Sequence, residues 1–150
     1  MEYDWKEMIE KQQDVRLFCS LHVRRARKNG IASAQELDLL SRLALARENT
    51  TSHMLSVHMG VSKTVISRLV ENLCRKEFLE KEPCPTDHRS YYLKITEKGR
   101  EELEHTYNYF LEPLYTMRRK VGEKTFHQLM ELIHEVNQVM GEENGEHTEF

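Results

Sequence analysis

The chain is poor in the residues that define specialised folds. It has three cysteines in 150 residues, Cys19, Cys74 and Cys84, an odd and sparse set without C-x-x-C spacing. That excludes a disulfide scaffold, and a reduced, cytoplasmic protein is the simplest reading. Three prolines and six glycines exclude collagen-like and low-complexity classes. No apolar run approaches the roughly 20 residues that a membrane span needs. The first residues, Met1 to Lys6, are acidic and polar and do not read as a signal peptide. No H-E-x-x-H, G-x-S-x-G or phosphate-loop pattern occurs, so the common signatures of hydrolases and nucleotide enzymes are missing.

What remains is a soluble, helix-rich composition, 39 % apolar and 31 % charged. The length suits one domain that buries its own core. Net charge is −3, which argues against a nucleic-acid partner until its distribution is read. Residues 131–150 carry six carboxylates and no lysine or arginine. The remaining 130 residues hold 22 basic against 19 acidic side chains, a mildly basic body behind an acidic end.

Apolar spacing predicts a first helix over residues 4–28, apolar on more than one side, hence deeply buried or at a subunit interface. Asn29-Gly30 ends it. Ser33 with Glu36 forms a capping box opening a second helix, with Leu37, Leu40, Leu43 and Ala44 inward. A short third helix follows over 52–59, with Met54, Leu55 and Met59 inward. Gly60-Val61-Ser62 makes a turn, and a fourth helix runs from Ser62 to about Lys76. Two short helices joined by three residues are a helix-turn-helix. The period then changes. Residues 78–82 and 91–95 read as strands flanking a polar tip, Pro83 to Ser90. Two helices close the chain, 97 to about 120 with a bend expected at Pro113, and about 123–140. Residues 141–150 read as an acidic, disordered tail. The fold class expected is mainly α with a small β-hairpin, a winged helix-turn-helix over about 33–100, flanked by helices at 4–28 and 101–140.

One face of the fourth helix carries Val65, Leu69, Val70 and Leu73. The other carries Ser62, Lys63, Thr64, Ser67 and Arg68. Small hydrogen-bonding residues let a helix approach base edges, and Lys and Arg reach phosphates or guanine acceptors. The same pattern also describes an ordinary solvated face. The hairpin tip adds Arg89, which can enter a narrow minor groove, and Asp87, which either orients that guanidinium or stabilises the turn. A second basic cluster, Arg24, Arg25, Arg27 and Lys28, suits flanking phosphates or the dipole at the end of the first helix.

Residues 61–73 (Val-Ser-Lys-Thr-Val-Ile-Ser-Arg-Leu-Val-Glu-Asn-Leu), Leu79-Glu80-Lys81, Asp87-His88-Arg89 and Leu93-Lys94-Ile95-Thr96-Glu97-Lys98-Gly99 together resemble the MarR family of winged-helix regulators. The resemblance covers roughly 33–103. It implies a cytoplasmic homodimer built by the first and last two helices, a repressor that binds a pseudo-palindromic operator in double-stranded DNA. It implies that Ser62, Lys63, Thr64, Ser67 and Arg68 read DNA, and that Arg89 is the wing arginine with Asp87 beside it. It implies neither a cofactor nor membrane association. It also implies release by a small, often aromatic or anionic effector, or by an oxidant. Two positions depart from the family pattern. Glu77 stands where glycine is usual after the recognition helix, so the helix is expected to end differently and tilt the wing. Ser56 stands where alanine is common.

His22, Arg25, Tyr107, Tyr109 and Phe110 are candidates for an effector pocket, but they read first as core and interface residues. Cys19, among Leu17, Phe18 and Leu21, is expected to be buried and inert, and Cys84 on the wing to be exposed. The competing chemistry is metal binding. Glu102 with His105 and Glu131 with His134 are Glu-x-x-His pairs of the type found in di-iron helical bundles, although the order of helices does not suit one. A third class, a winged helix used as a protein-interaction module, would show exposed aromatics in place of the Ser/Thr/Lys/Arg face.

Overall fold

The computed structural model describes residues 4–20 and 31–146. The elements run α1 (Trp5–Phe18), α2 (Ala34–Leu45), β1 (Thr50–Thr51), α3 (Ser52–Met59), α4 (Lys63–Arg75), β2 (Leu79–Pro83), β3 (Tyr91–Ile95), α5 (Glu97–Val121) and α6 (Glu123–Glu146). The three strands form one antiparallel sheet in the order β1-β3-β2. Leu79 pairs with Ile95, Lys81 with Leu93 and Pro83 with Tyr91, so a hairpin projects from the helices.

The core lies under the helix-turn-helix. Leu37, Leu39, Leu40 and Leu43 of α2 meet Leu55 of α3, Ile66, Leu69, Val70 and Leu73 of α4, and Phe78, Leu79 and Leu93 of the sheet. Each fully buried aliphatic side chain contributes roughly 1.5–3 kcal/mol. The buried face of α4 starts at Ile66, which sequence spacing left out, while Val65 is only half-buried.

The helix ends are fixed by local chemistry. The Ser33 hydroxyl accepts from Glu36 N–H, and the Glu36 carboxylate accepts from Ser33 N–H at 2.6 Å, the expected capping box. Thr51 caps α3. Gly60 ends it in the left-handed conformation at φ 62°, where a side chain would be strained. Glu36 is itself 3 % exposed, and its carboxylate holds the Lys76 ammonium at 2.8 and 3.0 Å. That ammonium also donates to the Ile31 carbonyl at 2.7 Å. Burial pushes the Glu36 carboxyl up. The hydrogen bonds from Lys76 and Ser33 and the Lys76 charge overturn that, and the net shift is downward. The end of α4 is thereby tied to the start of α2.

Glu77 corrects an expectation. It adopts φ 64°, the left-handed conformation usual for glycine, and α4 ends as it would with glycine there. Phe78 N–H donates to Leu73 O at 2.9 Å, and Glu77 N–H to Cys74 O at 3.0 Å. These two bonds form a Schellman motif. The strained residue is held from outside as well. Its carbonyl accepts from the Thr96 hydroxyl at 2.7 Å, and its carboxylate meets Lys98 at 2.6 Å.

Two further expectations change, at β1 and α6. β1 was not expected; it is two residues long and exists through pairing with β3. α5 runs as one helix through a buried Pro113. α6 continues to Glu146, past the end expected near 140, so the proposed disordered tail is helical over 141–146. α1 buries no residue: Trp5 is 66 % exposed, and Met8, Ile9, Val15 and Leu17 are exposed too. No helix among the described residues is long and apolar enough to cross a membrane.

Candidate nucleic-acid interface

α3, the Gly60-Val61-Ser62 turn and α4 set one face of α4 toward solvent. Lys63, Thr64, Ser67, Arg68, Glu71 and Arg75 are exposed, opposite the buried Ile66, Leu69, Val70 and Leu73. Ser62 is the N-cap, and its hydroxyl oxygen accepts from Val65 N–H at 3.3 Å. Its proton remains available to donate outward, but the side chain is tied to the helix start. Lys63, Arg68 and Arg89 make no ion pair among the described residues, so their charge is not neutralised within the chain.

The wing tip decides between the two readings of Asp87. One carboxylate oxygen accepts from Arg89 N–H at 3.0 Å, and the other accepts from the Ser90 hydroxyl. Both bonds close the turn, which also has Ser90 N–H on Asp87 O at 3.0 Å. The Ser90 hydroxyl and the Arg89 N–H hold the Asp87 carboxyl below the usual carboxylate range. Asp87 therefore shapes the tip. It does not hold the Arg89 guanidinium, which stays exposed and unpaired among the described residues.

The expected residues come together in part. Ser67 of α4 and Arg89 of the wing line a single cleft of about 270 Å³ at the root of the hairpin. Ser52 and His53 at the start of α3, Glu71 of α4 and Lys81 of β2 line it as well. Sequence reasoning missed Ser52, His53 and Lys81 as members of this site. A signal existed for the first two: a helix-turn-helix folds the start of its first helix beside the second, whereas Lys81 reaches the cleft only through the pairing of β2 with β3. Ser62, Lys63, Thr64 and Arg68 lie outside the cleft on the same exposed surface.

Both cysteine expectations reverse. Cys19 is exposed, because α1 packs on nothing within the described residues that would cover it. Cys84 is buried, by the hairpin's own side chains and not by the core. Its sulfur lies 3.3 Å from the Thr86 hydroxyl. Hydrogen bonds from Thr86 and Tyr92 bring the thiol down to about 7. Burial pushes the half-buried Cys74 up.

Tyr107 and Tyr109 are exposed, and Phe110 packs against the core. His22, Arg25 and the basic cluster Arg24, Arg25, Arg27 and Lys28 lie outside the described residues. Among the described residues no three His, Cys, Asp or Glu side chains converge to hold a metal ion. Glu102 with His105, and Glu131 with His134, therefore belong to no larger cluster of such side chains among the described residues.

A helix-turn-helix whose second helix presents an uncompensated basic, hydroxyl-rich face, followed by a hairpin with an arginine near its tip, defines a winged helix-turn-helix protein. The MarR-family model matches residues 32–90, the winged-helix part of the chain. No curated protein matches the chain significantly. Solved structures are similar across nearly the whole length. The MarR-family transcriptional regulator Sco3205 from Streptomyces coelicolor, in complex with DNA, is 18 % identical at a TM-score of 0.76, covering 91 % of this chain and 88 % of its own. A mutant of MarR from E. coli, complexed with operator DNA, is 17 % identical at 0.72, covering 90 % and 99 %. The PcaV regulator from S. coelicolor, with its natural ligand, is 17 % identical at 0.64, covering 92 % and 97 %. The shared fold extends to the flanking helices.

Proposed function

We propose that the protein is a homodimeric transcriptional repressor that binds a pseudo-palindromic operator and acts by binding, not catalysis. The observation that carries this is the unpaired Lys63, Arg68 and Arg89 on one surface formed by α4 and the wing. α4 enters the major groove with Lys63, Thr64, Ser67 and Arg68, Ser62 fixing its start. Arg89 reaches the adjacent backbone or minor groove from a tip shaped by Asp87. The DNA-bound state of two similar folds supports the same placement.

Dimerisation is supported by apolar surface that one protomer leaves bare. Trp5, Met8, Ile9, Val15 and Leu17 of α1 are exposed, as are Leu132, Val136, Val139 and Met140 of α6. Isolated exposed apolar residues are ordinary, but two such helices in one chain mark an interface. A dyad relates two copies of α4 about one helical turn of DNA apart. The protein works in the cytoplasm, and a small aromatic or anionic molecule, or oxidation, releases the operator. The exposed thiol of Cys19 supports the second route.

The test is selection of bound fragments from genomic DNA of the source organism, followed by titration of the selected fragment at two salt concentrations. The expected result is one pseudo-palindromic site bound in the nanomolar range with a steep salt slope. Weak binding indifferent to sequence would refute the reading. Light scattering after size exclusion checks the dimer.

A further inference from the structure

The winged helix joins the flanking helices through two connections: the stretch that leads into α2 at Ser33, and Thr96 between β3 and α5. Three consecutive residues at the end of α4 touch both. On the first side, the Lys76 ammonium donates to the Ile31 carbonyl at 2.7 Å and to the two Glu36 carboxylate oxygens at 3.0 and 2.8 Å. Glu36 in turn accepts from the Ser33 N–H. On the second side, the Thr96 hydroxyl donates to the Glu77 carbonyl at 2.7 Å, and the Thr96 N–H donates to the Phe78 carbonyl at 3.1 Å. Gly99, in the first turn of α5, passes so close that a Cβ there would stand 2.3 Å from the Phe78 carbonyl. A lysine ending a recognition helix is ordinarily free to reach a phosphate. The Lys76 ammonium has three donors, and three acceptor atoms of the chain take them.

We propose that Lys76 is a positioning residue for DNA binding: with Glu36 and the Ile31 carbonyl it fixes the angle of α4 to the flanking helices, and so the separation of the two recognition helices in the dimer. It does this without touching DNA, and it rests on the dimeric, DNA-binding reading of the protein. One anchored connection leaves a pivot, and a second anchor removes it. Thr96 supplies one anchor and Lys76 the other. The 13 residues of α4 make a lever of about 20 Å. A swing of about 10° at its held end displaces the far end by about 3.4 Å, one base-pair step. Two half-sites add to affinity only when both helices meet their grooves at once. A stiff joint therefore concentrates the affinity of the dimer on one half-site spacing, and a loose joint spreads it over several.

The selected operator is remade with the spacer between half-sites one base pair longer and one shorter. The wild type should lose about tenfold or more in affinity on either. Lys76→Met should bind the original operator about tenfold more weakly and discriminate among the three spacers by less than about threefold, with the salt slope of the parent. Glu36→Gln combined with Lys76→Met leaves no buried charge but does not restore the bond to Ile31. Its melting temperature should rise above that of the single variant, while its spacing preference stays as loose. A preference that returns with stability would be an effect of folding alone and would overturn the proposal. So would an unchanged preference in Lys76→Met, or a slope shallower by about 1.8, which would make Lys76 a phosphate contact. The DNA-free protein gives an independent reading through amide residual dipolar couplings. Those of α4 and α6 should fit one alignment in the wild type, whereas α4 of the double variant should need its own, weaker alignment. A single alignment in both proteins refutes the joint. If no operator binds, the DNA reading fails, and the couplings decide whether the joint exists.

Discussion

The tie between Glu36 and Lys76 makes a sharp test of the forces holding the recognition helix. Lys76→Met keeps the aliphatic stem and removes the ammonium. The Glu36 side chain, 4 % exposed, then keeps only the Ser33 N–H and loses both contacts to Lys76. Breaking a fully buried pair by deleting one partner costs about 3–5 kcal/mol. Lys76 is 29 % exposed, so water reaches the vacated space and reduces the cost. We expect a loss of about 2–3 kcal/mol at pH 7, read as a lower midpoint in urea at fixed protein concentration. The pH dependence carries the reasoning further. In the parent, Glu36 titrates below its ordinary 4.5, so it adds stability above that value, lost as pH falls through the lowered folded value. In Lys76→Met burial dominates, and the carboxyl titrates above 4.5. The charged group then destabilises at pH 7, and protonation relieves it. The gap between variant and parent should narrow steadily from pH 7 to pH 4. Glu36→Gln combined with Lys76→Met should recover much of the loss, because no charge remains buried. A gap that stays constant with pH, or widens in acid, refutes the argument.

Glu77→Gly should raise the melting temperature, because glycine adopts φ 64° without a Cβ penalty and the lost pair with Lys98 is solvent-exposed; a fall would show that the pair outweighs the strain. Gly99→Ala should lower stability by about 2–3 kcal/mol, since a Cβ there would stand 2.3 Å from the Phe78 carbonyl and 2.9 Å from Ile95, where the wing joins α5; wild-type melting would refute the close packing. Alkylation by iodoacetamide at pH 7.5, followed by mass spectrometry, should modify exposed Cys19 first and Cys74 last. Cys84, a thiol near 7 but covered, should be the residue whose rate rises most when mild urea opens the hairpin.

Local chemistry was legible in the chain wherever neighbours in sequence are partners in space. Ser33 with Glu36, the bounds of α3 and the turn at Gly60 follow from caps and turns a few residues long. The exposed face of α4 was legible for the same reason, since 3.6-residue spacing separates Ser67 and Arg68 from Leu69 and Val70. What failed depended on distant partners. Thr50-Thr51 has no period of its own and becomes a strand because β3 offers it an edge. Glu77 breaks a local rule, and the groups that hold it there, Thr96 and Lys98, lie about twenty residues away. Cys84 reads as part of a polar tip but is covered by Thr86 and Tyr92 across the hairpin. Cys19 reads as buried among apolar neighbours, yet Leu17 beside it is exposed and α1 buries none of its residues. His53 and Lys81 stayed outside the expected site because nothing in sequence places them beside Arg89.

The last consequence is quantitative and concerns why two copies are needed. Each protomer brings to the proposed DNA contact three cations that make no ion pair among the described residues: Lys63, Arg68 and Arg89. Each neutralised phosphate contributes about −0.9 to the slope of log affinity against log salt. One protomer therefore supplies a slope of about −2.7, which describes weak, non-specific association, and a dimer about −5.4. The −3 net charge adds no long-range attraction to this, so affinity must come from the local contacts. Arg89→Ala removes one contact per subunit. It should make the slope shallower by about 1.8 and weaken specific and random DNA alike by about tenfold or more. Substituting Ser67 or Arg68 should instead change which sequence is preferred. An Arg89→Ala protein with the parent's slope would place the wing off the DNA, and a slope of about −2.7 for the wild type would mean that a single protomer binds.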